Sequence, residues 1–268
     1  MMSVELLVCD VDGTLADTEE SHRVAFNEAF AHFHLGWAWS RPDYRGLLGV
    51  TGGKERLAAF IGALPVAQRE RRRLLELAPA VHAEKTRRYA ALVAGGAVPL
   101  REGVERLLEE ALAAGCKLAI ASTTTAANVD ALLTATLGPR GLHLFSVIAC
   151  GDQVRAKKPA PDIYRLVLST LDVPPHRALA FEDSPNGLRA ALAAGLWTLL
   201  TPTYWTQGGD FDGAGLLLPR LGEPEHPLPG EPGRRLSAEA WVTFDELAAR
   251  ASPPPGPGML DRLYRGLA

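Results

Sequence analysis

Four acidic residues stand where chemistry can be built. Asp10 and Asp12 lie in DVDGT (10–14), directly after an apolar run, and Glu182 and Asp183 lie in EDS (182–184), directly after another. Asp17, Glu19 and Glu20 add further negative charge just downstream of the first pair. Clustered carboxylates repel one another unless a cation holds them. Mg²⁺ is hard and oxygen-seeking, and it takes a few carboxylates together with phosphate oxygens and water. Asp10, Asp12, Glu182 and Asp183 are therefore the candidate metal ligands. Lys158, in KKP (157–159), and the Ser122 hydroxyl, at the head of STTT (122–125), supply donors for phosphate oxygens. A carboxylate beside a neutralised phosphoryl group can attack it in line, and a second carboxylate two residues on can give and take a proton.

These residues need a frame that brings distant stretches together. Residues 4–9 (VELLVC) read as a buried strand, as do 117–122, 146–150, 178–182 and 196–200. Helical patterns lie between them. Val104, Leu107, Leu108, Ala111 and Leu112 form one apolar stripe, with Gly115 where a helix would end. Ser184 is placed to cap a helix that has Pro185 first and Gly195 after its end. The alternation predicts an α/β fold with a doubly wound parallel sheet. Ligands of such sheets sit outside the carboxyl ends of the strands. The motifs at 10–12, 122–124, 157–159 and 182–184 all fall at or beyond strand ends, so they should meet.

Residues 17–95 carry only helical patterns, which is too long for a loop and predicts a small helical cap domain inserted after the first strand. The core domain is then 1–16 with 96–251, and 252–268 is a Pro-rich tail. QRERRR (68–73) reads as a solvated helix face. Residues 219–233 read as loop, and Thr243 with Glu246 as the capping box of a short last helix stapled by Val242 and Leu247. The stretch 204–235 either closes against the site or covers a sheet edge. In GLLGVTGGKERL (46–57), Gly49, Gly52 and Gly53 leave backbone N–H groups open to an anion, and Lys54 adds charge. The alternative is a plain helix–helix turn. Tyr44 is placed to meet a sugar, with Arg45 and Arg56 nearby, and His22 is either a packed residue or a substrate contact.

Composition narrows the function classes. The chain has 268 residues, 47% apolar and 22% charged, with net charge −3. That is an ordinary globular composition with no basic field for nucleic acid or an anionic membrane. No apolar run approaches the ~18 residues of a spanning helix. Cys9, Cys116 and Cys150 fit neither a disulfide framework nor a zinc pattern, and read as buried thiols of a cytoplasmic protein.

The set DVDGT, ST, KKP and EDS, in that order, resembles the four motifs of the haloacid dehalogenase superfamily. The resemblance spans roughly residues 4–220. It implies that Asp10 is the nucleophile and a metal ligand, and that Asp12 is the acid/base with its backbone carbonyl on the metal. It implies that Ser122 and Lys158 bind the transferring phosphoryl group, and that Glu182 and Asp183 complete an Mg²⁺ site. Lys158 is preferred over Lys157, which is then a surface residue or one that supports the site from behind, because the family's lysine directly precedes Pro. Dehalogenases of the superfamily lack the second aspartate, so Asp12 points to phosphate chemistry. GVTGGKERL (49–57), HAEKT (82–86) and KKPAPDIY (157–164) look like the CbbY-type branch, similar in fold to β-phosphoglucomutase. That likeness implies a Rossmann-like core and hydrolysis of xylulose 1,5-bisphosphate to xylulose 5-phosphate, in a Calvin-cycle context. Glu19, His22, Gly49, Gly52, Gly53, Lys54, Thr123 and Thr124 become the expected substrate-binding residues, with Lys54, Gly53 and Lys85 as distal anchors. The expected partner is a small phosphorylated sugar, and the chain is expected to be a monomer or weak oligomer. The alternatives are a phosphomutase using the same residues and a non-catalytic binding module.

Overall fold

The run Leu6–Cys9 is fully buried and β-competent on both faces, and it forms the central strand β1 of the sheet. The structure is a computed structural model that describes residues 4–228 and 240–251. β2 (Lys117–Ala121), β3 (Phe145–Ala149), β4 (Ala178–Glu182), β5 (Trp197–Leu200) and β6 (Leu216–Leu217) complete it. All neighbours pair in parallel, in the order β3-β2-β1-β4-β5-β6. β6 was not anticipated, because two residues carry no period. It caps the β5 edge through Leu199 opposite Leu216.

Alternation along the strands divides the core in two. Leu7, Cys9, Leu118, Ile120, Leu179 and Phe181 face one way; Leu6, Val8, Ala119, Ala121 and Ala180 face the other. On the first face pack α5 (Val104–Ala113), α6 (Ala126–Leu137) and α9 (Phe244–Ala251); on the second, α7 (Asp162–Leu171) and α8 (Pro185–Ala193). This is the doubly wound sheet expected. Ser184 Oγ accepts from Gly187 N–H with Pro185 opening α8, as its sequence requires. Thr243 Oγ1 accepts from Glu246 N–H at 3.4 Å, and Val242 and Leu247 are buried beside α9. All three cysteines are buried and free.

Four helices lie between β1 and α5: α1 (Glu19–His32), α2 (Arg41–Leu47), α3 (Gly53–Ala63) and α4 (Gln68–Ala94). They share their own apolar cluster of Phe26, Phe30, Trp39, Tyr44, Leu57, Ile61 and Val81. α2 was not read from the sequence, though its signal was there. Ser40 and Asp43 form a reciprocal capping box, with Pro42 in the first turn. Most of QRERRR is exposed on the first turns of α4. Among the described residues no helix is long and apolar enough to cross a membrane. The tail at 252–268 and part of the 219–233 loop lie outside the described residues.

Candidate active site

Strand register brings the ends of β1, β2 and β4 level, since Cys9 pairs with both Ile120 and Phe181. The chain past each end therefore opens on one cavity of about 390 Å³, roofed by α1–α4. Asp10, Asp12, Lys158 and Asp183 line it. Ligand oxygens of Asp10, Glu182 and Asp183, all buried, lie within 4.8 Å of one another. Lys158 Nζ donates to Asp10 Oδ1 and Glu182 Oε1, each at 2.6 Å. Tyr164 O–H donates to the same Glu182 oxygen at 2.6 Å, and Thr14 O–H donates to Asp10 Oδ2 at 3.1 Å. Gly13 has φ +86°, and a Cβ there would sit 2.4 Å from Asp183 Oδ2, so glycine alone lets the loop pass this carboxylate.

Burial pushes Asp10 up to about 7 against the pull of the Lys158 ammonium, with Glu182 and Asp12 adding to the rise. Asp183 is raised by burial and by the Asp10 and Glu182 charges. One ammonium cannot balance three carboxylates in a dry pocket, and each added negative charge makes the next costlier. The set is all-oxygen, buried and short of positive charge, which fits a hard divalent cation such as Mg²⁺. Asp10 and Asp183 line the cavity, whereas Glu182 is fully buried behind them. Glu182 spends Oε1 on Lys158 and Tyr164, so its main visible work is to orient the lysine.

The Asp12 carboxylate stands apart from this cluster, and the ligand expected from this residue is its backbone carbonyl. Its Oδ1 accepts from Thr18 O–H at 2.6 Å and from His22 Nε2 at 2.9 Å. His22 Nδ1 lies 2.7 Å from Lys85 Nζ. An ammonium can only donate, so Nδ1 accepts and Nε2 carries the proton given to Asp12. Burial and the Lys85 charge hold His22 below its ordinary range, so it acts as a neutral donor. Burial works against the Asp12 carboxylate, but His22, Thr18 and Lys85 outweigh it and hold Asp12 well below the usual range. Lys85, 3% exposed, is lowered by burial to about 8. His22 also stacks on Tyr89, with ring centroids 4.0 Å apart. His22 is thus neither plain packing nor simply a substrate contact: it lines the cavity and orients Asp12.

Of the other expected binding residues, Glu19, Gly49, Gly52, Gly53, Lys54, Thr123 and Thr124 line the cavity. Ser122 does not: it is buried at 1% exposure, and its Oγ accepts from Thr124 N–H at 3.2 Å. Gly52 stands at φ +92° before α3, and Gly52, Gly53 and Lys54 at the start of that helix line the cavity. Lys54 Nζ bonds both Asp152 oxygens at 2.9 Å. Lys157, expected at the surface or in support of the site, lines the cavity and pairs with Glu55 at 2.8 Å. Tyr44, expected to meet a sugar, is fully buried. It donates to Glu19 Oε2 at 2.9 Å and accepts from Arg56 at 2.8 Å, so it belongs to the packing of α1–α3. Thr18, Tyr164, Asn186 and Thr206 were missed. Tyr164 stood inside the KKPAPDIY stretch and Thr18 a few residues past Asp12; Asn186 and Thr206 are brought to the cavity by folding.

A family model for haloacid dehalogenase-like hydrolases matches residues 4–195. Protein CbbY of Rhodobacter capsulatus is 50% identical over 220 residues, which are 82% of this chain and 95% of that protein. The crystal structure of CbbY from Rhodobacter sphaeroides in complex with phosphate shares 48% identity, with a TM-score of 0.75 over 81% of this chain and 94% of that one. The D10N mutant of that protein, in complex with xylulose-(1,5)bisphosphate, gives 47% identity, a TM-score of 0.75 and the same coverage. The order of the motifs, the sheet they end on and these relatives agree: the chain belongs to the haloacid dehalogenase-like hydrolases, in their CbbY-type branch, and is a phosphatase of that family.

Proposed function

We propose that the chain is an Mg²⁺-dependent sugar-phosphate phosphatase that converts xylulose 1,5-bisphosphate to xylulose 5-phosphate through an aspartyl-phosphate on Asp10. The observation that carries this reading is the meeting of Asp10, Asp183 and Lys158 in a cavity also lined by Lys54, Arg56, Lys85 and Lys157. One cationic region suits the reacting phosphoryl group and another suits a second phosphate, as a bisphosphate requires. The bisphosphate bound by a relative 47% identical supports the choice of substrate.

In this reading residues 17–95 act as a cap domain over the core. Mg²⁺, held by Asp10, Asp183 and the Asp12 carbonyl, would neutralise the phosphoryl oxygens. Lys158 binds one of those oxygens and keeps the Asp10 carboxylate ionised and aimed. An Asp10 oxygen attacks phosphorus, and the bond to the sugar oxygen breaks. The leaving oxygen takes a proton from Asp12. Water then attacks the phosphoryl group on Asp10, giving its proton to Asp12, and phosphate departs. Both Asp12 hydrogen bonds fall on Oδ1, which leaves Oδ2 to carry the proton. The resting environment favours the base form, and an entering phosphate dianion raises the proton affinity for the acid half. Lys54 and the α3 N–H groups would hold the distal phosphate.

The test is phosphate release from xylulose 1,5-bisphosphate with Mg²⁺, beside β-glucose 1-phosphate, with Asp10→Asn as the blank. Asp10-dependent release from the bisphosphate is expected. Conversion of the glucose phosphate in the presence of its bisphosphate activator, without release from the pentose, would give the function to a mutase.

A further inference from the structure

The loop after β5 belongs to the core by sequence, yet it holds one side chain in each half of the molecule. Trp205 is 5% exposed and lies within the apolar cluster of α1–α4, with its ring edge-on to Tyr44 at 5.7 Å and 87°. The next residue, Thr206, donates from Oγ1 to Asp183 Oδ2 at 3.1 Å. The turn between them is tightly tied. Trp205 N–H donates to Thr203 Oγ1 at 3.1 Å, and Thr203 N–H donates to Thr206 Oγ1 at 3.0 Å. Because Thr206 Oγ1 already accepts from a backbone N–H, its own proton is directed outward, and Asp183 receives it. Gln207 N–H closes on Thr203 O at 2.8 Å, which completes the turn. On the other side, Arg45 Nη2 of α2 donates to Gln207 O at 2.6 Å, and the Arg45 guanidinium lies 5.3 Å from the Tyr204 ring centre.

We propose that Trp205 and Thr206 couple the seating of α1–α4 on the core to the orientation of the Asp183 carboxylate. A turn this short and this self-bonded moves as a unit. If the cap helices lift, they either draw Trp205 with them or abandon its apolar seat; in the first case Thr206 shifts off Asp183. Seating the cap restores the hydrogen bond and sets the Asp183 oxygen towards the Asp10 side. Thr206 is a positioning residue acting through Asp183, and Trp205 is one acting through Thr206. The coupling rests on the reading of Asp10 and Asp183 as Mg²⁺ ligands.

The test is calorimetric titration of the resting full-length protein with Mg²⁺, without substrate. Thr206→Val is expected to weaken Mg²⁺ binding about tenfold, the effect typical of losing an outer-shell partner, and Thr206→Ser to restore it. Trp205→Ala, which leaves the Thr206 hydroxyl in place and removes only the ring and its donor to Asp17, is expected to weaken binding in the same direction. The Trp205→Ala, Thr206→Val double variant should be no weaker than Thr206→Val alone, because the two act in series. Should Trp205→Ala not fold, Arg45→Ala cuts the exposed Gln207 contact instead. Removing that positive charge would by itself favour a cation, so weaker binding in Arg45→Ala speaks for coupling. Unchanged Mg²⁺ affinity in both Trp205→Ala and Arg45→Ala overturns the coupling, as does strict additivity in the double variant. Wild-type protein that takes up no Mg²⁺ overturns the metal reading, and the coupling with it.

Discussion

Asp10 and Asp12 stand two residues apart on one loop and live in opposite surroundings. Asp10 is buried among carboxylates, drawn up by burial and steadied by Lys158, all from the core. Asp12 is drawn down by Thr18, His22 and Lys85, the latter two on helices α1 and α4. On the proposed mechanism, the difference teaches how one short loop would supply both a nucleophile and a proton carrier. The core keeps Asp10 in a charge-crowded, cation-demanding place, whereas the helices above give Asp12 a donor chain with a fixed tautomer. Only the first of these environments survives if the helices move away.

Loss of the Asp10 carboxylate should cost the most. Asp10→Asn keeps the shape and removes the nucleophile, so turnover should fall by about 10⁴-fold or more, as for other nucleophile losses. Phosphate-release assays check this, and a loss of less than tenfold would remove Asp10 from the chemistry. Removal of the proposed Mg²⁺ comes next. Excess EDTA should cut turnover by about a thousandfold, since the carboxylate cluster would then face the phosphate unscreened. Restored Mg²⁺ should raise the melting temperature through binding to the folded state.

The Asp12 side is sharpened by Lys85→Met and His22→Asn. Each should lower kcat about 10- to 100-fold with little change in KM, as expected for a lost supporting hydrogen bond. Lys85 also sets a pH limb. Burial lowers it from the ordinary 10.5 to about 8, so it is protonated below about pH 8 and loses its proton above. kcat should therefore decline as pH rises through about 8, and Lys85→Met should lose that limb. The same depression affects stability in the other sense. Between about pH 8 and 10.5 the unfolded chain binds the proton and the folded one does not, so this group makes folding more favourable as pH rises there. A rate profile flat through pH 8–9 in the wild type would detach Lys85 from Asp12.

The smallest effect is at the rim. Lys54 and Asp152 are both about half exposed, so their ion pair contributes little and is screened by salt. Lys54→Ala should raise KM for the bisphosphate by about fivefold, the worth of one exposed charge contact, and leave a small aryl phosphate unaffected. Equal losses on both substrates would make Lys54 a structural residue. Asp152→Ala should shift KM slightly the other way, because it frees Lys54.

Sequence alone determined five of the six strands described, the sheet edge their motifs share and the identity of the core carboxylates. Periodicity and capping are local, and β1, β4 and the start of α8 follow directly from Leu6–Cys9, Ala178–Glu182 and Ser184-Pro185. The motifs at 10–14, 157–159 and 182–184 could be placed together because strand ends of a parallel sheet must face one way. Contacts between groups distant in sequence came from tertiary packing alone. Lys85 reaches His22 across 63 positions, Thr206 reaches Asp183, and Trp205 leaves the core to pack among α1–α4. Lys157 is drawn into the cavity and Tyr44 out of reach of a sugar by the same packing. Such pairings depend on how the cap helices settle on the core, and no spacing within either segment encodes that.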